Sequence, residues 1–151
     1  MPPSSISVRS RAAMLGWAVL ASGLGAQAGA AADVTGVWID HTGKGAVEIA
    51  PCADKMCGRV VWLENPNHKS KSGQAICGAQ ILGDLRRAGN GQWEAGWIFN
   101  PEDEERFSAE IKLKSADTLL VTGYLGIKWL GETFTWKRAP PNQQRCSARA
   151  S

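Results

Sequence analysis

From Val34 onward apolar and polar residues alternate with a period of two, the spacing of strands that bury one face. Val34-Thr35-Gly36-Val37-Trp38-Ile39-Asp40 reads as the first strand, with Gly36 leaving room two positions before a large indole. Ala46–Ala50 and Gly58–Leu63 read as the second and third, separated by Pro51 and a Cys52–Cys57 turn. A polar, turn-rich link from Glu64 to Gly78 is expected to lie across one end of the fold. Gln80–Leu85 reads as a short fourth strand kinked at Gly83, followed by an Arg86–Gly91 turn. The fifth, Gln92–Phe99, sets Trp93, Ala95, Trp97 and Phe99 on one face by simple alternation.

The sixth strand, Arg106–Leu113, alternates cleanly, with Phe107, Ala109, Ile111 and Leu113 on the apolar side. Thr118–Tyr124 is the seventh, and Leu125-Gly126 leads into an eighth that runs to about Arg138, where Pro140-Pro141 stops the sheet. No segment carries helical periodicity. Eight short strands on hairpin-length links predict an all-β meander, closed as an antiparallel up-and-down barrel because closure removes the free edges. Eight strands enclose an interior that side chains fill or that holds one small ligand.

Residues 1–32 read as a signal peptide: Arg9 and Arg11, an apolar run from Ala12 to Leu24, and small residues at Ala30-Ala31-Ala32. Cleavage is expected after Ala32, with Ala26-Gln27-Ala28 a weaker option and an uncleaved anchor the rival. The run is shorter than the roughly 20 residues a spanning helix needs. The expected layout is a barrel domain over 33–139 and a C-terminal tail over 140–151, in a periplasmic or secreted protein. Four cysteines in such a chain read as two disulfides, Cys52 with Cys57 and Cys77 with Cys146, the second tethering the tail. The rival zinc site lacks a second close cysteine pair, and His41 and His68 do not fall at ligand spacing.

Two of the 17 basic residues and none of the 14 acidic ones lie in 1–32, which leaves the remainder with 15 against 14. Its basic residues are scattered, so no nucleic-acid footprint is present. Nothing in the composition speaks to oligomeric state.

Several motifs in order carry a resemblance: Gly36-x-Trp38, Cys52-x4-Cys57-Gly58, Asn65-Pro66, Cys77-Gly78, Gly96-Trp97 with Asn100-Pro101-Glu102, Gly123-Tyr124-Leu125-Gly126 and Thr135-Trp136-Lys137-Arg138. Together they resemble the bacterial exported domain-of-unknown-function family 2147, whose fold is a lipocalin-like (calycin) barrel. The likeness spans nearly all of 34–138 and departs in the Glu64–Gly78 link, which is shortened here. It implies the fold and the compartment and supplies no activity. In lipocalin-like barrels a first-strand Trp meets a last-strand Arg, so Trp38 and Arg138 are expected to close the barrel floor, guanidinium on indole.

Sites of chemistry are scarce. Nucleophile elbow, zincin helix, phosphate loop and dinucleotide fingerprint are all missing from the sequence. Asp40-His41 makes a poor catalytic pair on a strand, and His41 and His68 read as loop residues. Glu48, Glu94, Glu110 and Glu132 read as exterior charges, and the acidic Glu102–Glu105 turn as a solvated hairpin tip with no calcium spacing. The chain is therefore expected to be no enzyme, without cofactor or metal. Six tryptophans follow residue 32, and they either fill the core or line a pocket. Trp97, Phe99, Tyr124 and Trp129 are the candidates for the wall or rim of a ligand-binding pocket. A small apolar or amphipathic ligand inside the barrel is the leading expectation. A protein partner on the loops of a filled barrel is the second, and an enzyme at the barrel mouth the third.

Overall fold

The computed structural model describes residues 33–147. Eight strands follow one another: β1 (Gly36–Ile39), β2 (Gly45–Cys52), β3 (Lys55–Leu63), β4 (Gln80–Gly89), β5 (Gln92–Asn100), β6 (Glu105–Ser115), β7 (Thr118–Tyr124) and β8 (Glu132–Arg138). Each pairs antiparallel with the next, and β8 pairs with β1 to close the barrel. Both disulfides form as expected, Cys52–Cys57 across the β2–β3 hairpin and Cys77–Cys146 tying the tail to the β3–β4 link.

The two ends of the barrel differ because the links differ. At one end the hairpins are tight. Asn90 and Gly91 both take positive φ, +50° and +70°, the twist that matches a two-residue hairpin turn. At the other end lie the links 40–44, 64–79, 101–104 and 125–131.

Arg138 stacks 4.1 Å from the ring centre of Trp38 at the floor. Its guanidinium donates to the carbonyls of Ala116, Thr35 and Asp33 at 2.6, 2.9 and 2.8 Å. The Trp38 indole donates to Val34 O at 2.8 Å. Gly36 is required here: its φ is +117°, and a Cβ would sit 2.8 Å from Arg138 Nη1. Above this floor Ile49, Leu82, Leu85, Ile111, Leu119 and Val121 are fully buried, each worth about 1.5–3 kcal/mol of transfer free energy. The core thus fills the half of the barrel that the tight hairpins close.

Three sequence expectations give way. The eighth strand begins at Glu132, not just after Gly126, because residues 125–131 form a loop with a 3-10 turn over Lys128–Leu130. The fourth strand continues to Gly89 rather than turning at Arg86. In β5 a register shift between Trp93 and Gly96, with Ala95 at φ +57°, reverses the alternation. Trp93 therefore packs against the core, while Trp97 lies on the outer face against Gly83. Gly96 faces inward, where a Cβ would meet Leu85 and Gly83 O at 2.6 Å.

The tryptophans consequently do not fill the core as a group. Trp38 and Trp136 are buried in it, and Trp129 is 79% exposed.

A cavity at the open end of the barrel

The half of the barrel beneath the four longer links is hollow. Its cavity is about 780 Å³, within the roughly 300–1,000 Å³ of small-molecule sites. Ala46, Val47, Val60, Ile81, Ile98 and Trp136 form an apolar wall, and all three phenylalanines of the chain, Phe99, Phe107 and Phe134, border the space. Trp136 is 3% exposed, and its Nε1 has no hydrogen-bond partner among the described residues. An unmet buried N–H costs about 1–3 kcal/mol, so a group that could accept from it would be stabilised there.

Polar groups gather at the mouth. Asp40, His41, Lys44, Glu64, His68, Glu102 and Glu132 all border it. Glu132, expected on the exterior, is thus a mouth residue, since β8 starts there beside Gly123 of β7. Asp40 and His41 lie in the turn after β1, so the opposite-face rule for strands does not separate them. His41 stacks on Phe134 with ring centres 4.2 Å apart.

The long β3–β4 link lies over this mouth and is fastened there. The Ser72 N–H and Ser70 Oγ both donate to Glu104 Oε1 at 2.9 Å, and Ser72 first, then Ser70, holds the Glu104 carboxyl below its ordinary range. Lys71 N–H donates to Pro101 O at 3.3 Å, and His68 faces Glu102 at 3.5 Å. Ile76 of the same link is buried and turned to the cavity. The acidic tip is therefore a fastening point and not merely a solvated turn.

Of the four aromatics singled out from sequence, Phe99 borders the cavity. Trp97 is outside: Arg106 stacks 4.1 Å from its ring centre, and its Nε1 donates to Asp84 Oδ2 at 2.9 Å. Asp84 is itself ion-paired with Lys55 at 2.9 Å, and these two contacts, Lys55 first, lower its carboxyl's pKa. Tyr124 is half-buried at the end of β7 and is not part of the lining. Trp129 projects from the β7–β8 loop, none of whose residues 125–131 is part of the lining; the strand residues flanking it, Gly123 and Glu132, are. Ion pairs of Lys128 with Glu110 and Glu94 anchor that loop and raise the lysine's pKa. The pairs leave Leu125, Ile127, Trp129 and Leu130 exposed.

Phe107 and Phe134 border the cavity without having been expected there, although alternation along β6 and β8 is a signal that places them.

A closed eight-stranded antiparallel barrel with its core at one end and a hollow at the other defines a lipocalin-like protein. The chain belongs to the bacterial family described as "Uncharacterized protein conserved in bacteria (DUF2147)", whose model matches residues 36–138. Among solved structures it is similar to a Helicobacter pylori protein, HP1028, described as belonging to the lipocalin family. That similarity has 18% identity and a TM-score of 0.61 over 74% of this chain and 86% of the other, and it concerns the fold alone. No curated protein matches the chain. Among the described residues no helix is long and apolar enough to cross a membrane.

Proposed function

We propose that the protein is an exported carrier that holds one small apolar or amphipathic molecule in the open half of its barrel and acts by binding, not by catalysis. The observation that carries this reading is the cavity itself: an apolar wall, a buried unpartnered indole N–H, and charged groups confined to the mouth. An apolar body would bury against the wall and a polar head would stay with the mouth residues. The carboxyls held below their ordinary range, at Glu48, Asp84 and Glu104, owe this to hydrogen bonds from Arg145, Lys55 and Ser72, away from the cavity lining. Two disulfides suit the oxidising compartment that export implies, and the leader over 1–32 that would direct it there lies outside the described residues.

The test is titration with a polarity-sensitive apolar fluorophore, using Ile98→Trp to fill the space. Saturable one-to-one binding that Ile98→Trp abolishes in a folded protein is expected. Binding unchanged in that variant would mean the fluorophore sits elsewhere and would count against the reading.

A second reading has its own observation. Leu125 is 70% exposed and Trp129 79%, at the same end as the mouth, and clustered exposed apolar side chains mark contact surfaces. On this reading the β7–β8 loop meets a protein partner. Replacing Leu125 and Trp129 by Ser would abolish capture of that partner without altering fluorophore binding.

A further inference from the structure

The charges and rings around the mouth select among ligand heads. Four carboxylates border the cavity, on Asp40, Glu64, Glu102 and Glu132, against the single lysine Lys44. Two of the four are engaged: Asp40 accepts from the Thr42 N–H and hydroxyl at 2.9 and 2.6 Å, and Glu102 faces His68. Glu64, just after β3, and Glu132, at the start of β8, have no ion-pair partner among the described residues. An opening in which carboxylates outnumber the one lysine, over low-dielectric walls, concentrates a net negative field on whatever enters.

The rings add an independent preference. Phe99 and Phe107 border the same space, while one face of Phe134 is taken by His41, and the faces of aromatic rings carry negative potential that attracts cations, quaternary ammonium above all. A fatty-acid carboxylate at this mouth would face four like charges with one ammonium to meet it. An ammonium head would find two unpaired carboxylates and aromatic neighbours.

Resting on the carrier reading, we propose that the cavity takes a cationic amphiphile, with an amine or quaternary ammonium head among the carboxylates of the mouth and its apolar body against the barrel wall. The apolar body supplies most of the affinity, and the head sets the selectivity.

Calorimetric titration with decyltrimethylammonium, decanol and decanoate tests this, each below its micelle concentration and at about 0.1 M salt, where exposed charges still act over some 10 Å. The expected result is one-to-one binding in which the cation binds at least about 10-fold tighter than the carboxylate, with the alcohol between them. In the double variant Glu64→Gln, Glu132→Gln that ratio is expected to fall to about 3-fold or less. Decanoate binding as tightly as the cation, or a ratio untouched by the double variant, would overturn the inference while leaving the carrier reading in place. Failure of all three, the neutral alcohol included, to bind folded protein would overturn both.

Discussion

Arg138 is the single side chain on which barrel closure depends most. It stacks on Trp38, and its guanidinium reaches three backbone carbonyls, two of them in the segment leading into β1 and one in the β6–β7 turn. Arg138→Ala removes all four contacts at once. Hydrogen bonds to a charged group are worth about 1.5–3 kcal/mol each when buried, but those to Ala116 and Asp33 are exposed, so the three together are taken at about 2 kcal/mol. With a partly exposed cation–π contact at about 1 kcal/mol the loss comes to about 3 kcal/mol. Arg138→Lys keeps the charge but not the planar fork, so it should lose about 2 kcal/mol. With a urea slope of about 1.5 kcal/mol per molar, the alanine variant should unfold about 2 M earlier with both disulfides intact. A midpoint within about 0.3 M of the parent would refute the idea that this cluster fastens the first strand to the last.

The disulfides should differ in weight. Cys77–Cys146 spans 69 residues and Cys52–Cys57 spans 5, so chain-entropy estimates give about 4 and about 2 kcal/mol. Thermal unfolding of the paired Cys→Ser variants should show the larger drop for the first pair. Gly96→Ala would drive a methyl into Leu85 and Gly83 O and should cost about 1–3 kcal/mol, read from the shift in melting temperature. The Arg145 guanidinium donates to both Glu48 oxygens and holds that carboxyl below its ordinary range. A lowered folded-state pKa gives stability that is present at neutral pH and lost as pH falls through the folded value. Glu48→Gln should therefore be less stable than the parent at pH 7, by under about 1 kcal/mol because the pair is partly exposed. The two should converge in acid, as followed by urea midpoints across pH.

The fold was largely legible in the sequence because its signals are local. Thr118–Tyr124 is the seventh strand as alternation has it, and Asn90-Gly91 supplies the left-handed pair a two-residue hairpin needs. Closure between Trp38 and Arg138 was implied by the resemblance that the Gly-x-Trp opening and Trp-Lys-Arg ending help to carry.

What stayed hidden depends on contacts distant in sequence. Nothing in Glu94-Ala95-Gly96 announces that Ala95 takes φ +57°, and that one residue decides which of Trp93 and Trp97 faces inward. Leu125, Ile127 and Trp129 alternate like a strand. They leave the sheet where Lys128 is held by Glu94 and Glu110 on β5 and β6. His41 and His68 meet the same mouth only because the barrel closes.

Native mass spectrometry of the protein purified from the cells that make it decides whether the barrel carries a ligand. A carrier should give a reproducible one-to-one adduct on the order of a few hundred daltons, of a size to fit the cavity and released on unfolding. A bare-chain mass, together with unchanged tryptophan fluorescence across a panel of cationic, neutral and anionic amphiphiles, would contradict the carrier reading.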